Sequence, residues 1–407
     1  MTTFPDALKQ ALTAYTNDEF SEAERLCRTI VGAKPDFFDA LHLLAVVQTR
    51  LGRLEGALTT HDQALALRPD HAGALSNRGL TLLQLKRFDE ALASYDRALA
   101  LRPDDAGALN NRAAALKNLG RFEDALAGYA SALVLKPDYA EVFYNRGLLL
   151  HELMQFEQTT VESARALAIS PELPYVRGWL LSSRMHCCDW GPFASESQSL
   201  VADLRAGKHA SYPFFLLGLS ASASDQLRCS ELYIREMHPA GSTPIWKGER
   251  YSHDRIRVAY LSADFREHAV CRLLAGVFEQ HDHARFETTA ISFGSNDVSQ
   301  MRSRVLRAFD RLVDVRNKKD REVANLLHEL EIDIAVDLMG FTKANRCGIF
   351  ALRPAPVQVN YLGYPGTTGA EYMDYIASRG KCGQGVALKS RVLPPRPSTR
   401  DVRGETC

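Results

Sequence analysis

Several things are scarce in this 407-residue chain, and each scarcity excludes a class of function. Formal charge cancels, with 49 Lys and Arg against 49 Asp and Glu, so neither a basic stripe for nucleic acid nor an acidic solvating tail is expected. No apolar run reaches the ~18 residues that a membrane-spanning helix needs. Met1-Thr2-Thr3-Phe4-Pro5-Asp6 lacks the charged n-region and apolar core of a secretory signal. The eight cysteines (Cys27, Cys187, Cys188, Cys229, Cys271, Cys347, Cys382 and Cys407) contain no CxxC pair, and their scatter reads as buried thiols in a reducing compartment. His186-Cys187-Cys188-Asp189 is the nearest approach to a metal cluster. Adjacent cysteines chelate one tetrahedral ion poorly and no second pair exists, so no metal is expected. These absences imply a cytoplasmic chain with neither nucleic acid nor membrane among its partners.

What is present begins with five prolines at one interval: Pro35, Pro69, Pro103, Pro137 and Pro171, each 34 residues from the last. Asp36, Asp70, Asp104 and Asp138 follow the first four, and Glu172 the fifth. This period is the signature of a tetratricopeptide repeat, a helix–turn–helix unit that stacks into a solenoid. The repeats run 4–37, 38–71, 72–105, 106–139 and 140–173. Their eighth position is Ala11, Ala45, Gly79, Ala113 and Gly147, where two helices cross closely. Their twentieth is Ala23, Ala57, Ala91, Ala125 and Thr159, and their twenty-seventh is Ile30, Ala64, Ala98, Ala132 and Ala166. Phe20, Leu54, Phe88, Phe122 and Phe156 fill the seventeenth. Proline closes each unit because it lacks an N–H and restricts the residue before it.

The sixth position is Asn77, Asn111 and Asn145 in the third to fifth repeats, each followed by Arg. A ladder of such amides on the inner groove can donate to and accept from a peptide backbone, so extended protein or peptide segments are the expected partners. The plainer reading is a polar residue tolerated on an exposed helix face.

Beyond residue 173 the beat is lost. Val176–Leu181, Leu200–Leu204, Phe214–Leu219 and Leu227–Met237 keep helical spacing and read as a helical connector, with Pro239–Arg250 as a linker. Strands and helices then alternate. Ile256–Leu261, Phe286–Phe293, Arg311–Val315, Ile332–Met339 and Val357–Leu362 read as strands. Ala269–His281, Val298–Phe309, Asp320–Leu330 and Asn345–Leu352 read as helices. This alternation predicts a parallel, doubly wound sheet with its ligand at the C-terminal strand ends.

Three clusters follow those ends: Asp264–His268, Gly340–Lys343 and Gly363–Gly369. The pair Asp264 and His268, four residues apart, suits a carboxylate orienting an imidazole or accepting a proton, or else an N-cap beside a surface histidine. The glycines and threonines of 363–369, Thr367 among them, suit either a ligand-cradling loop or a plain turn.

Together the motifs Tyr260-Leu261-Ser262-Ala263-Asp264-Phe265 with His268, Asp337-Leu338-Met339-Gly340-Phe341-Thr342, and Leu352-Arg353-Pro354-Ala355-Pro356-Val357-Gln358 running into Leu362-Gly363-Tyr364-Pro365-Gly366-Thr367 resemble the first catalytic lobe of the O-GlcNAc transferase family. This is glycosyltransferase family 41 in its bacterial, TPR-fused, SPINDLY-like form. Met373-Asp374-Tyr375-Ile376, Cys188-Asp189-Trp190 and the Asn ladder fit it too.

The resemblance implies a GT-B fold of two Rossmann-like lobes. It implies inverting transfer of N-acetylglucosamine from UDP-GlcNAc to Ser or Thr of proteins, without a metal or other cofactor. By the same resemblance Asp264 and His268 are catalytic, and His268 sits beside the donor pyrophosphate. Phe341, Thr342 and Lys343 line the acceptor side, Leu362 and Gly363 border the sugar, and Thr367 belongs to the same pocket.

The expected fold class is therefore an α-solenoid of five TPR repeats plus one α/β Rossmann-like lobe, the first half of a GT-B fold. The expected organisation is a solenoid over 1–173, a connector and linker over 174–250, a catalytic lobe over 251–376 and an atypical tail over 377–407. Two departures stand out. Ala269-Val270-Cys271-Arg272 replaces the Pro-Thr pair of animal members. After Ile376 the family's second lobe, which would hold the uridine, is replaced by an Arg-, Pro-, Gly- and Ser-rich tail. A frameshift or premature stop is the expected origin. Such a chain would bind UDP weakly or not at all and would be inactive alone. A non-catalytic TPR interaction scaffold is the alternative function.

Overall fold

The computed structural model describes residues 4–219, 221–241 and 243–377; the atypical tail beyond Ala377 lies outside them. The chain divides into two compact units, one ending at Asp189 and the other beginning at Trp190. The division falls inside the stretch that periodicity reads as one connector.

The first unit is built from helix pairs: α1 (Phe4–Thr16) and α2 (Phe20–Ala33), α3 (Phe38–Arg50) and α4 (Leu54–Leu67), α5 (Ala72–Gln84) and α6 (Phe88–Leu101), α7 (Ala106–Asn118) and α8 (Phe122–Leu135), α9 (Ala140–Glu152) and α10 (Phe156–Ile169). Every first helix has 13 residues. Every second helix has 14, beginning at the aromatic or leucine of the seventeenth position. The turn between them needs one left-handed residue, and it falls at the fifteenth position of all five repeats: Asp18, Gly52, Lys86, Gly120 and Met154. Three of these carry a side chain, at a cost of about 1–2 kcal/mol each.

The eighth position behaves as the spacing predicts. A Cβ added at Gly79 would lie 2.8 Å from the Tyr95 ring, and Ala11, Ala45 and Ala113 are wholly buried. Opposite that position stands the twenty-fourth, filled by Tyr95 and Tyr129 in the third and fourth repeats and by fully buried His61 in the second. The first helices of neighbouring repeats approach one another more closely than the second helices do, which puts them on the inner side of the stack. Helix α11 (Val176–His186) follows a left-handed Tyr175 and packs on α10.

The second unit opens with α12 (Phe193–Arg205), α13 (Pro213–Leu216) and α14 (Ala223–Met237). Ser222 and Asp225 form a capping box at α14, and Arg205 holds Asp225 at 2.7 Å. The stretch read as a linker is hydrogen-bonded into this unit instead. The Gly241, Ile245 and Trp246 amides donate to the carbonyls of Ala351, Leu352 and Arg353 at 2.8–2.9 Å. Its glycines and prolines break periodicity without freeing the backbone, which is why composition alone reads it as loose.

Then come β1 (Ile256–Ser262), α15 (Ala269–Glu279), β2 (Phe286–Ser292), α16 (Gln300–Arg307), β3 (Arg311–Asp314), α17 (Asp320–Glu329), β4 (Ile334–Asp337), α18 (Cys347–Ala351), β5 (Val357–Tyr361) and β6 (Tyr375–Ala377). All pairings are parallel, in the order β3-β2-β1-β4-β5-β6. Near-continuous apolar strands such as Val258–Leu261 are what a sheet covered on both faces requires. One covering layer joins Tyr260 and Val336 of the sheet to Cys271, Leu274 and Phe278 of α15 and to Val305 and Phe309. No helix of the described residues is long and apolar enough to cross a membrane.

Candidate active site

In a sheet of order 3-2-1-4-5-6 the winding reverses between β1 and β4, and ligands of such sheets bind in the crevice outside the strand ends at that point. Leu261 pairs with Asp337 at that point. The β1 loop carries Asp264 and His268, the β4 loop Leu338–Lys343 and the β5 loop Leu362–Gly369.

Close backbone approach fixes the three loops to one another. A Cβ on Gly363 would fall 1.8 Å from the Leu338 carbonyl oxygen, and one on Gly294 would fall 1.7 Å from that of Ala263. Gly340 has φ +54° and lies against Tyr364. Met339 bridges the β1 and β4 loops, its Sδ 3.4 Å from the Ala263 amide and 3.5 Å from Ser262 Oγ.

The β1 loop is further pinned from beneath. Ser262 Oγ accepts the Asp264 amide at 2.9 Å, and Cys271 Sγ donates to the Asp264 carbonyl at 2.8 Å. Arg302 of α16 is almost fully buried and donates to the Phe265 carbonyl at 2.5 Å and to Asn296 Oδ1 at 2.7 Å. Asp297 accepts the Glu267 amide at 2.9 Å.

On this platform Asp264 is buried and His268 about a third exposed, with His268 Nδ1 3.5 Å from Asp264 Oδ2. Arg266 lies 3.2 Å from the other carboxylate oxygen. His268 is also the N-cap of α15, its Nδ1 accepting the Val270 amide at 3.3 Å. The cap is thus His268 itself, not a neighbour of a surface histidine, and the carboxylate of Asp264 lies beside the same ring. With Nδ1 accepting, the neutral ring carries its proton on Nε2, an assignment that follows from the hydrogen bond. The positive end of the α15 dipole lies at the same point and favours an anion.

The β4 loop rests on Asp337, which is buried and accepts the Met339 and Gly340 amides at 2.9 and 3.1 Å and the Asn360 amide at 3.4 Å. Burial raises its carboxyl above the ordinary range, against the pull of those bonds. Phe341 is a packing residue, its ring 5.0 Å from Tyr364 and 5.1 Å from Tyr233. Thr342 Oγ1 donates to the Met339 carbonyl at 2.9 Å, and Lys343 is exposed. Leu362 is left-handed, φ +65°, and half open to solvent. Thr367 is buried and accepts the Gly369 amide at 3.2 Å.

Arg353 shows what its motif is for. It donates to the Tyr372 and Pro356 carbonyls at 2.8 Å and to Asp374 at 3.0 Å, while Gln358 Nε2 donates to Phe350 and Tyr372 carbonyls at 3.0 and 2.6 Å. The Arg-Pro-Ala-Pro stretch therefore ties β5 to the approach of β6. Arg302, Met339 and Asp297 escape sequence reasoning; an arginine on an amphipathic helix reads as surface, and only its burial shows otherwise.

In the solenoid, Asn77 Nδ2 lies 3.0 Å from His42 Nε2, and Asn145 Nδ2 donates to Asn110 Oδ1 at 3.0 Å. Each bond joins the sixth position to the fifth of the preceding repeat. Asn110 in turn donates to Asn111 at 3.1 Å. Burial and nearby His71 hold His42 below the ordinary histidine range, which suits an acceptor for Asn77. Part of the ladder's capacity is thus spent in fixing its own amides. No group of three or more His, Cys, Asp or Glu among the described residues could hold a metal ion.

Residues 234–383 match the family model of glycosyl transferase family 41. Tetratricopeptide-repeat models match 8–61, 36–104, 94–127 and 115–153, which makes the first unit a TPR array, a protein-binding architecture. The chain is 33% identical over 168 residues to the probable UDP-N-acetylglucosamine–peptide N-acetylglucosaminyltransferase SEC of Arabidopsis thaliana, covering 40% of this chain and 17% of that protein. It is 36% identical over 140 residues to the UDP-N-acetylglucosamine–peptide N-acetylglucosaminyltransferase of Caenorhabditis elegans, covering 33% and 12%. Among solved structures, a mutant of the Thermobaculum terrenum O-GlcNAc transferase aligns over 75% of this chain and 53% of that one, at 24% identity and a TM-score of 0.44. The matched parts thus span less than a fifth of the two curated relatives.

Proposed function

We propose that this chain, whose residues 234–383 match glycosyl transferase family 41, serves protein O-glycosylation, transferring N-acetylglucosamine from UDP-GlcNAc to Ser or Thr. The observation that carries this reading is the coincidence of the family segment with the β1/β4 crevice, where Asp264 and His268 meet at the N-terminus of α15.

The reaction forms a bond from the hydroxyl oxygen to the anomeric carbon and breaks the bond from that carbon to the diphosphate. The hydroxyl proton must leave as the bond forms, and the diphosphate takes the electron pair. Asp264 is the carboxylate available to take that proton, directly or through a water. His268, with its proton on Nε2, donates to a diphosphate oxygen, and the α15 dipole supports the same charge. The chemistry proposed needs no metal. Leu362 and Gly363 border the sugar, and Thr342, Lys343 and Thr367 belong to the pocket rim. Extended polypeptide is held by Asn77, Asn111 and Asn145, each of which keeps polar capacity beyond the bonds it makes within the stack.

Transfer of radiolabelled sugar from UDP-GlcNAc to a Ser/Thr-rich peptide tests this. Loss of transfer in both Asp264→Asn and His268→Ala supports it, and transfer at the wild-type rate in both refutes it. If the wild-type chain binds the peptide but transfers nothing, the non-catalytic scaffold becomes the better account of residues 1–407.

A further inference from the structure

The TPR stack carries a second ladder, of ion pairs. Arg78 reaches back 16 residues to Asp62 at 2.7 Å, and Arg112 reaches back 16 residues to Asp96 at 2.6 Å. Each arginine is the seventh residue of its repeat, and each aspartate the twenty-fifth of the repeat before. The next rung should join Arg146 to residue 130, but residue 130 is alanine. Arg146 turns to Glu162 of its own repeat at 2.7 Å instead.

Where the aspartate is missing there is a shallow dimple of about 320 Å³ between α8, α9 and α10. Its floor is Phe143, buried, in a position that is leucine in the three preceding repeats (Leu41, Leu75 and Leu109). Its apolar wall is Ala130, Leu133 and Val134, the last 80% exposed. Two guanidinium groups stand over the Phe143 ring, Arg146 and Arg165, each 5.7 Å from its centroid. Arg165 is exposed and enters no ion pair among the described residues, and no acidic side chain lines the dimple.

We propose that this seam between the fourth and fifth repeats is a docking site for a protein segment that carries an acidic residue next to an aliphatic one. The incoming carboxylate supplies the charge that Asp62 and Asp96 supply one and two rungs earlier, and it bonds Arg165 and the edge of Arg146. The aliphatic neighbour covers Leu133 and Val134. Charge complementarity selects the acid: two arginines with one internal carboxylate between them leave a net positive site on an apolar floor. The inference is independent of sugar transfer and of the asparagine ladder.

The test is fluorescence anisotropy on the whole chain. The probe is a fluorescein-labelled Gly-Ser peptide with one central Asp-Leu pair, and the control has Asn-Leu in its place. The Asp-Leu peptide is expected to bind at least about tenfold more tightly than the control, the worth of a charge-assisted hydrogen bond, and to weaken as salt rises. Ala130→Asp rebuilds the missing rung at an exposed position and should lower affinity about tenfold or more without lowering the melting temperature. Arg165→Ala should lower affinity similarly without touching the buried wall. Equal binding of the two peptides, unchanged binding to both variants, or no binding of the Asp-Leu peptide at millimolar concentration would each overturn the proposal.

Discussion

Acidification should weaken the solenoid, and most through His61. Its ring is fully buried in the second repeat, in the slot that Tyr95 and Tyr129 fill in the next two, and neither ring nitrogen has a hydrogen-bond partner. Desolvation, with the positive charge of Arg78 and the proximity of His42, holds it down to about 3. An unfolded histidine titrates near 6.5. The native state therefore binds fewer protons than the unfolded one. The stability this histidine contributes is complete above about pH 6.5 and is lost as pH falls from there toward about 3. Between about pH 7.5 and about pH 5.5 the loss amounts to about 1.4 kcal/mol. His42 and His151 are displaced in the same direction and add to the slope, so the absolute curve is not the readout. The readout is the difference between wild type and His61→Tyr, which removes this titration and places there the side chain that repeats three and four accommodate. Urea unfolding followed by helix ellipticity should show the variant gaining on wild type by about 1.4 kcal/mol across that interval. Parallel pH dependence in the two proteins would refute the reasoning.

Further outcomes follow from the lobe. Gly363→Ala places a Cβ 1.8 Å from the Leu338 carbonyl oxygen and should destabilise the lobe by about 1–3 kcal/mol in thermal unfolding. On the proposed transfer reaction, Arg302→Met should leave the far-ultraviolet ellipticity intact but release the Phe265 carbonyl, lowering kcat by about a hundredfold through misplacement of Asp264 and His268. Among the described cysteines, iodoacetamide should modify exposed Cys188 first, because burial pushes Cys27 and Cys229 up to about 12 and Cys271 up to about 11; peptide mapping of a time course reads the order.

The solenoid was legible in detail because its period is enforced by sterics at repeated points. The small eighth residue, the seventeenth that opens each second helix and the closing proline are visible in any register. The left-handed fifteenth position was not, since Asp18, Lys86 and Met154 hide what Gly52 and Gly120 suggest. In the lobe, strands and crossover helices were readable to within a few residues. Val298–Phe309 shortens to Gln300–Arg307 and Ile332–Met339 to Ile334–Asp337, because apolar residues continue past the last ladder bond. Three-residue β6 is too short for any period to announce. The three loops were placed at the strand ends by topology alone, and their convergence was not foreseeable: it rests on Met339, Arg302 and the backbone contacts of Gly294 and Gly363, which are tertiary facts. The packing of Phe341 against Tyr233 and Tyr364 is likewise a tertiary fact that no local pattern announces.

The central claim is that the crevice between β1 and β4 receives the sugar nucleotide. Photolabelling with a diazirine-bearing UDP-GlcNAc analogue tests it directly, because crosslinking captures even a weakly held ligand. The account predicts that labelled peptides map to 263–268, 338–343 or 362–369, and that excess UDP-GlcNAc suppresses them. Labelling confined to the solenoid, or to the opposite ends of the strands, would contradict it.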